Sequence, residues 1–320
     1  MVGKITPDHM ASASIVPSIL GVNPYQTQND VLRSCINASH GMKRKPLADP
    51  RRADFGNAIE PFLAKMACDA VGGHSLKTEF PDPCFHEELE LAASFDATCV
   101  AIGRIQHAPE KGIYVMTGEG YIDIEGTGII ECKNTAAAAT DEPAAYRGPW
   151  QLQAQMMCAK LNWGIVVTLY QGWDLRFYIY RSEPSMQTLI KNRITDFAHR
   201  IKSEDFYPPT NSGDVNCIFP EALPGEPAPL AELSVDLDEV VEDIQAARKV
   251  IKATEEKIDQ LQMVLKGALG NHEQGITKNY HLTWKMREAT PERLVTYKAK
   301  DRERAGTVTF KKLKQEVVNG

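Results

Sequence analysis

The chain has 320 residues, 43% hydrophobic and 24% charged, with a formal charge of −6. That length admits one large domain or two smaller ones, and that composition supports an ordinary buried core. The first twenty residues lack the basic and apolar runs of a signal peptide, and no window approaches the roughly 18–20 apolar residues of a membrane span. Seven cysteines (35, 68, 84, 99, 132, 158, 217) are scattered without a CxxC pair. This excludes an obvious zinc or iron–sulfur site and points to reduced thiols in the cytoplasm.

Residues 1–219 read as one compact unit. "FGNAIEPFLAKMACDAVG" (55–72) predicts a helix, with Pro61 in its first turn or kinking it. "HEELELAASFDATCVAI" (86–102), "GYIDIEGTGIIECKNT" (120–135) and "GIVVTLYQGWDLRFYIYRS" (164–182) predict strands, and "PAAYRGPWQLQAQMMCAKLN" (143–162) a helix between them. The order helix, strands, helix, strands gives an α/β unit with a mixed central sheet flanked by helices. Trp150, Trp163, Trp173 and Trp284 read as core, and the histidines show no ligand spacing.

"FPEALPGEPAPL" (219–230) reads as a Pro-rich linker, assigned to 220–231. A long helix is placed at 232–271. Within it a 3-4 stripe of mostly apolar residues runs from Leu237 through Val240, Ile244, Ile251, Ile258 and Leu261 to Ala268, and Gly270–Asn271 is the expected C-cap. Residues 272–320 read as a small basic module with β-like runs at 280–286, 293–299 and 306–313. From Ile276 to Gly320 eleven Lys/Arg stand against five Asp/Glu, a balance of +6 that leaves −12 for the rest of the −6 total. A basic end on an acidic body can hold phosphates in one place and cations in another.

"GIIECKNTA" (128–136) puts charges into an apolar strand. Residues i and i+2 share a face, so Glu131 and Lys133 emerge side by side while Cys132 points to the back. Unpaired buried charges are costly, so this face is either a satisfied ion pair or the wall of a reactive site. Asp96 lies in a turn after the preceding apolar strand. Two carboxylates are hard ligands suited to Mg²⁺ or Mn²⁺, and a lysine beside them can orient water or stabilise phosphate charge. The set suits metal-assisted phosphodiester hydrolysis.

The surrounding motifs resemble those of the lambda-exonuclease-like (YqaJ-type) viral recombinases of the PD-(D/E)xK nuclease superfamily. The resemblance runs over residues 11–182: Ala11, Ser12, Leu20, Gly21, Pro24 and Tyr25, then Gly56 and Glu60, then Ser94 and Asp96, then Glu131 and Lys133, then Gln151, Gln153, Gln155 and Met156. It implies a restriction-endonuclease-like core carrying the long helix and β-containing extension. Asp96, Glu131 and the main-chain carbonyl of Cys132 would ligate metal, Glu60 would serve a second ion, and Lys133 would position the nucleophilic water. Gln151 would brace Lys133 or the scissile phosphate, with Gln153 and Gln155 as alternative phosphate contacts. The implied activity is exonucleolytic resection of double-stranded DNA ends, 5′→3′, with Mg²⁺ or Mn²⁺ and two ions per site. The setting would be phage-type recombination in a bacterial or phage-infected host, beside a single-strand annealing partner and in a trimeric ring. A structure- or site-specific endonuclease and a silent DNA-binding scaffold are the alternatives. The arginine that usually precedes the first motif and holds the 5′-phosphate is missing; only Lys4 and His9 precede it, with Ser12 and Ser14 as possible phosphate donors.

Overall fold

The computed structural model describes residues 6–43, 51–220 and 236–286. Lys4, linker residues 221–231 and the runs 293–299 and 306–313 lie outside the described residues, as do Arg287, Lys298, Lys311 and Lys312. The chain divides into two compact units, Met1–Phe219 and Pro220–Gly320.

The first unit runs β1 (Ala11–Ser12), α1 (Val16–Ile19), α2 (Gln28–Ser39), α3 (Arg51–Ala70), β2 (His74–Lys77), β3 (Cys84–Phe85), β4 (Leu91–Ala93), β5 (Ala97–Gln106), β6 (Ile113–Val115) and β7 (Tyr121–Thr135). It continues with α4 (Pro149–Ala159), β8 (Trp163–Tyr170), β9 (Asp174–Arg181), α5 (Pro184–Ser203) and α6 (Ser212–Ile218). The main sheet has the order β2-β5-β7-β8-β9-β6. It is mixed: β7–β8 and β9–β6 are parallel and the other pairs antiparallel. This is the helix-flanked mixed sheet expected from the sequence. A smaller sheet, β1-β4-β3, stands beside it.

Burial along β7 explains its sequence. Over Ile122–Glu125 apolar and polar residues alternate, and only Ile122 and Ile124 are buried. From Gly128 to Cys132 every residue is buried, because helices cover both faces. Ile130 and Cys132 join Leu63, Ala64 and Ala67 of α3 in one core cluster. Ile129 joins Leu152 and Met156 of α4 and Val166 of β8 in another. Gly128 is required there: a Cβ on it would come within 2.4 Å of the Trp163 ring.

Several expectations need correcting. The α3 helix starts at Arg51, so of the two places expected for Pro61 the first turn is ruled out and the helix interior, where a proline can kink, is the one occupied. The helix persists past the missing N–H because Leu63, Ala64 and Ala67 are buried against the sheet. The run at 86–102 breaks into β4 and β5 around Asp96, and the run at 164–182 into β8 and β9. The helix expected at 143–162 is confined to α4. Trp163 is buried and Trp150 partly so, but Trp173 and Trp284 are 75% and 47% exposed. Trp173 lies in the tight β8–β9 turn, which has no interior side.

In the second unit α7 (Leu237–Leu269) is followed by the antiparallel hairpin β10 (Gln274–Ile276) and β11 (His281–Thr283). Asp236 caps α7, accepting from Asp238 N (3.0 Å) and Glu239 N (3.2 Å). Gly270 closes it with φ +54°, at the position the sequence predicts.

Candidate active site

Register brings Asp96 to Glu131. The first paired residue of β5 is Ala97, whose partner on β7 is Ile130. Asp96 precedes it and therefore faces Glu131. Beyond that point β7 has lost its β5 backbone partner, and the Asp96 carboxylate replaces it: Oδ2 accepts from the Cys132 N–H at 2.7 Å.

Glu131 is 2% exposed, yet its charge is satisfied. Its Oε1 accepts from Lys133 Nζ at 2.6 Å and its Oε2 from Gln155 Nε2 at 2.6 Å. The Lys133 ammonium also donates to Gln151 Oε1 at 3.0 Å. Gln155 Nε2 donates further to the Ser94 carbonyl at 2.8 Å, tying the turn that carries Asp96 to α4. Sequence reasoning gave Ser94 no role; only the fold reveals its carbonyl as a brace. The start of α4 can approach this closely because Gly148, at φ +114°, has no side chain; a Cβ there would lie 2.7 Å from Val166.

Glu60 reaches the same place from α3. Cys132 does point to the back of the sheet, where its Sγ lies 3.7 Å from the Glu60 carbonyl and helps fix that turn of α3. Burial, then the charge of Glu131, raises the Glu60 carboxyl above its ordinary range, against the pull of Lys133. Asp96 is raised well above its range by burial first and by Glu131 next. Burial pulls the Lys133 ammonium down, but attraction to Glu131 and Asp96 outweighs it and keeps the amine charged.

The three glutamines separate by helical geometry. Gln151 and Gln155 are four apart and share the face toward β7, whereas Gln153 lies on the other side. Its Nε2 donates to Arg181 O at 2.7 Å, its Oε1 accepts from Glu183 N at 2.9 Å, and it is buried. Gln153 is thus not brought to the site, and Gln155 touches Glu131 from a fully buried position rather than an open surface. Ser12 and Ser14 meet each other at 3.1 Å; Ser12 is buried and Ser14 exposed.

The charge balance tests whether these residues suit a divalent cation. Glu60, Asp96 and Glu131 bring three carboxylates against the single charge of Lys133, an excess of two negative charges when all are ionised. Among the described residues no three His, Cys, Asp or Glu side chains form a ready-made cage. Mg²⁺, however, is ordinarily held by one or two carboxylates with several retained waters, a donor set that Asp96 and Glu131 can supply. The residues fit.

No family model matches the chain, and no curated protein matches it. Among solved structures the chain is similar to LHK-Exo, an alkaline exonuclease from Laribacter hongkongensis, at 14% identity and a TM-score of 0.45, over 62% of this chain and 90% of that one. It is similar to LHK-Exo in complex with dAMP at 14% identity and a TM-score of 0.43, over 61% and 89%. A phage-related exonuclease from Haemophilus somnus 129PT gives 14% identity and a TM-score of 0.39, over 61% and 96%. Within the described residues no helix is long and apolar enough to cross a membrane.

Proposed function

We propose that the protein is a metal-dependent deoxyribonuclease that hydrolyses phosphodiester bonds from the ends of double-stranded DNA, running 5′→3′. The observation that carries this reading is the convergence of Glu60, Asp96 and Glu131 on one charged lysine, with the buried Gln155 amide and the half-buried Gln151 amide fixing the geometry. An ion pair meant only for stability would need one carboxylate, and the extra buried negative charge is costly without a cation.

In this reading Asp96, Glu131 and the Cys132 carbonyl hold Mg²⁺, for which Mn²⁺ substitutes, and Glu60 serves a second ion. When bound there, the cations supply an activated water and neutralise charge on the phosphate. Lys133 orients that water and steadies the charge developing on the phosphoryl oxygens. Gln151, by accepting from Lys133, holds the ammonium in register, and Gln155 locks Glu131 in one rotamer. The polar exposed Ser14 stands in for a phosphate donor near the DNA end, with Ser12 positioning it.

The biological setting belongs to the same proposal: resection for phage-type recombination in the cytoplasm of a bacterial or phage-infected host. A single-strand annealing protein would take up the exposed strand, and the nuclease would act as a homo-oligomeric ring around the duplex. The test follows linear duplex labelled at either 5′ or 3′ end through time with Mg²⁺, beside a closed circular duplex. Progressive loss of the 5′ label first, with the circle intact, is the expected result. Nicking of the circle would move the activity to the endonucleases, and no cleavage in any arm would leave only DNA binding.

A further inference from the structure

The loop before α2 ends in an aromatic cluster that the proposed hydrolysis does not use. Tyr25 is 78% exposed, a large apolar surface for a side chain in a well-tied loop. Asn23 ties that loop in two directions, accepting from the Tyr25 N–H at 3.0 Å and donating to Ser18 Oγ at 3.0 Å. Ser18 Oγ in turn donates to Gln26 Oε1 at 3.2 Å. The Tyr25 ring meets Tyr146 edge to face, with centroids 5.5 Å apart and planes at 75°. Tyr146 OH accepts from Arg147 Nε at 2.9 Å, and the guanidinium lies 5.2 Å from the Tyr146 centroid. Among the described residues no carboxylate pairs with Arg147, and its two Nη groups have no protein acceptor. A single exposed aromatic means little. Here a rigid aromatic pair and an unneutralised guanidinium stand together. Arg147 lies four residues before Gln151, so their Cα atoms are at most about 14 Å apart.

We infer that Tyr25, Tyr146 and Arg147 form a platform for an unpaired segment of the DNA strand next to the scissile phosphodiester, one base stacking on Tyr25 while Arg147 holds a flanking phosphate. This rests on the nuclease reading and adds to it a preference for frayed or single-stranded ends. Nucleobases of any sequence present a π-face, and a preordered tyrosine loses little freedom on stacking. Arginine matches phosphate with two parallel N–H donors, which the unused Nη edge of Arg147 can supply.

The experiment measures binding of the full chain, in EDTA so that nothing is cut, to a fluorescein-labelled eight-nucleotide oligo-dT strand and to the same strand made abasic. Tyr25→Ala should weaken oligo-dT binding roughly tenfold, the loss of one stacked base, and Tyr25→Phe should retain it. On the abasic strand Tyr25→Ala should change nothing, while Arg147→Gln should weaken both probes. Equal affinity of Tyr25→Ala and the unsubstituted chain for oligo-dT overturns the platform. So does an equal loss on the abasic strand, which would make Tyr25 a loop brace, or an unsubstituted chain that does not bind the strand. Failure of the nuclease reading shows separately, as Mg²⁺-dependent hydrolysis that survives Asp96→Asn.

Discussion

Glu131 is 2% exposed beside a Lys133 side chain that still reaches solvent, and three neighbours decide what its carboxylate can do. Lys133 neutralises it, Gln155 orients it and Asp96 repels it. Asp96→Ala or Glu131→Ala should therefore reduce Mg²⁺-dependent hydrolysis by about 10³-fold or more, the loss of several kcal/mol of charge stabilisation. Lys133→Ala should give a comparable loss while DNA affinity stays within a few fold, which separates positioning of water from holding of substrate. Near-normal turnover in Asp96→Ala would end the assignment. The same cluster sets a stability prediction. A carboxyl whose folded pKa is raised binds more protons folded than unfolded, so stability falls as pH rises from the ordinary carboxylate value toward the folded one. Without divalent cations, Asp96→Asn should raise the melting temperature at neutral pH by about 2–4 °C, as ~1 kcal/mol does in a unit of this size. That gain should vanish below about pH 4, where the carboxyl is protonated in both states, and calorimetry across pH in EDTA reads it directly. Asp96, Glu131 and Lys133 were legible in the sequence because strand alternation alone pairs Glu131 with Lys133. The sorting of Gln151, Gln153 and Gln155 was not: helical spacing sets Gln153 apart from the other two, but only the fold shows which face meets β7.

At the scale of elements, the site depends on helices whose positions are fixed far from it. α2 and α6 are held together by Asp214, whose carboxylate is buried and accepts from the Thr27 hydroxyl at the α2 N-cap. It also accepts from Thr210 N at 2.8 Å and from Thr210 Oγ1 at 2.7 Å. Burial pushes this carboxyl up, but the hydrogen bonds from Thr27, Thr210 and Asn29 outweigh it and hold it below its usual range. Its stabilisation is thus present above the unfolded pKa and lost as pH falls through the folded one. Asp214→Ala should cost about 1–3 kcal/mol at pH 7, leaving buried donors unpaired, and less as pH drops below ~4. Denaturant midpoints of the two proteins at both pH values measure this; an equal deficit at both would remove the charge from the account. None of this pairing was legible beforehand, because residues 27 and 214 meet only through the fold. The sheet was more legible: β7 came through almost to the residue, its alternation at one end and its apolar run at the other being direct signals. The start of α3 was obscured by Pro61, which reads as a helix opening when its upstream turns carry little apolar pattern.

At the scale of the molecule, α7 raises the question of what its stripe is for. Val240, Ile244, Ile251, Ile258, Leu261 and Leu265 repeat at the 3-4 spacing of a coiled-coil seam, and all are exposed. A seam held from Val240 to Leu265 is long for a helix meant to stay alone in water. We propose that the seam joins copies of the chain, giving the ring its grip, and that the basic residues 272–320 contact the DNA backbone or the annealing partner. Ile251→Glu with Ile258→Glu would bury two charges in the seam, a cost of several kcal/mol per ion. Sedimentation at micromolar concentration should then show the unsubstituted chain as an oligomer and the double variant as a smaller species. A chain that is monomeric before substitution would remove the ring. Truncation after Pro220 tests the other half. Lys/Arg contacts to phosphate release counterions, so the shortened protein should keep its cleavage chemistry while its affinity for long duplex falls and becomes less dependent on salt. A soluble truncated protein with the same affinity and the same salt slope would show that the basic end holds no DNA.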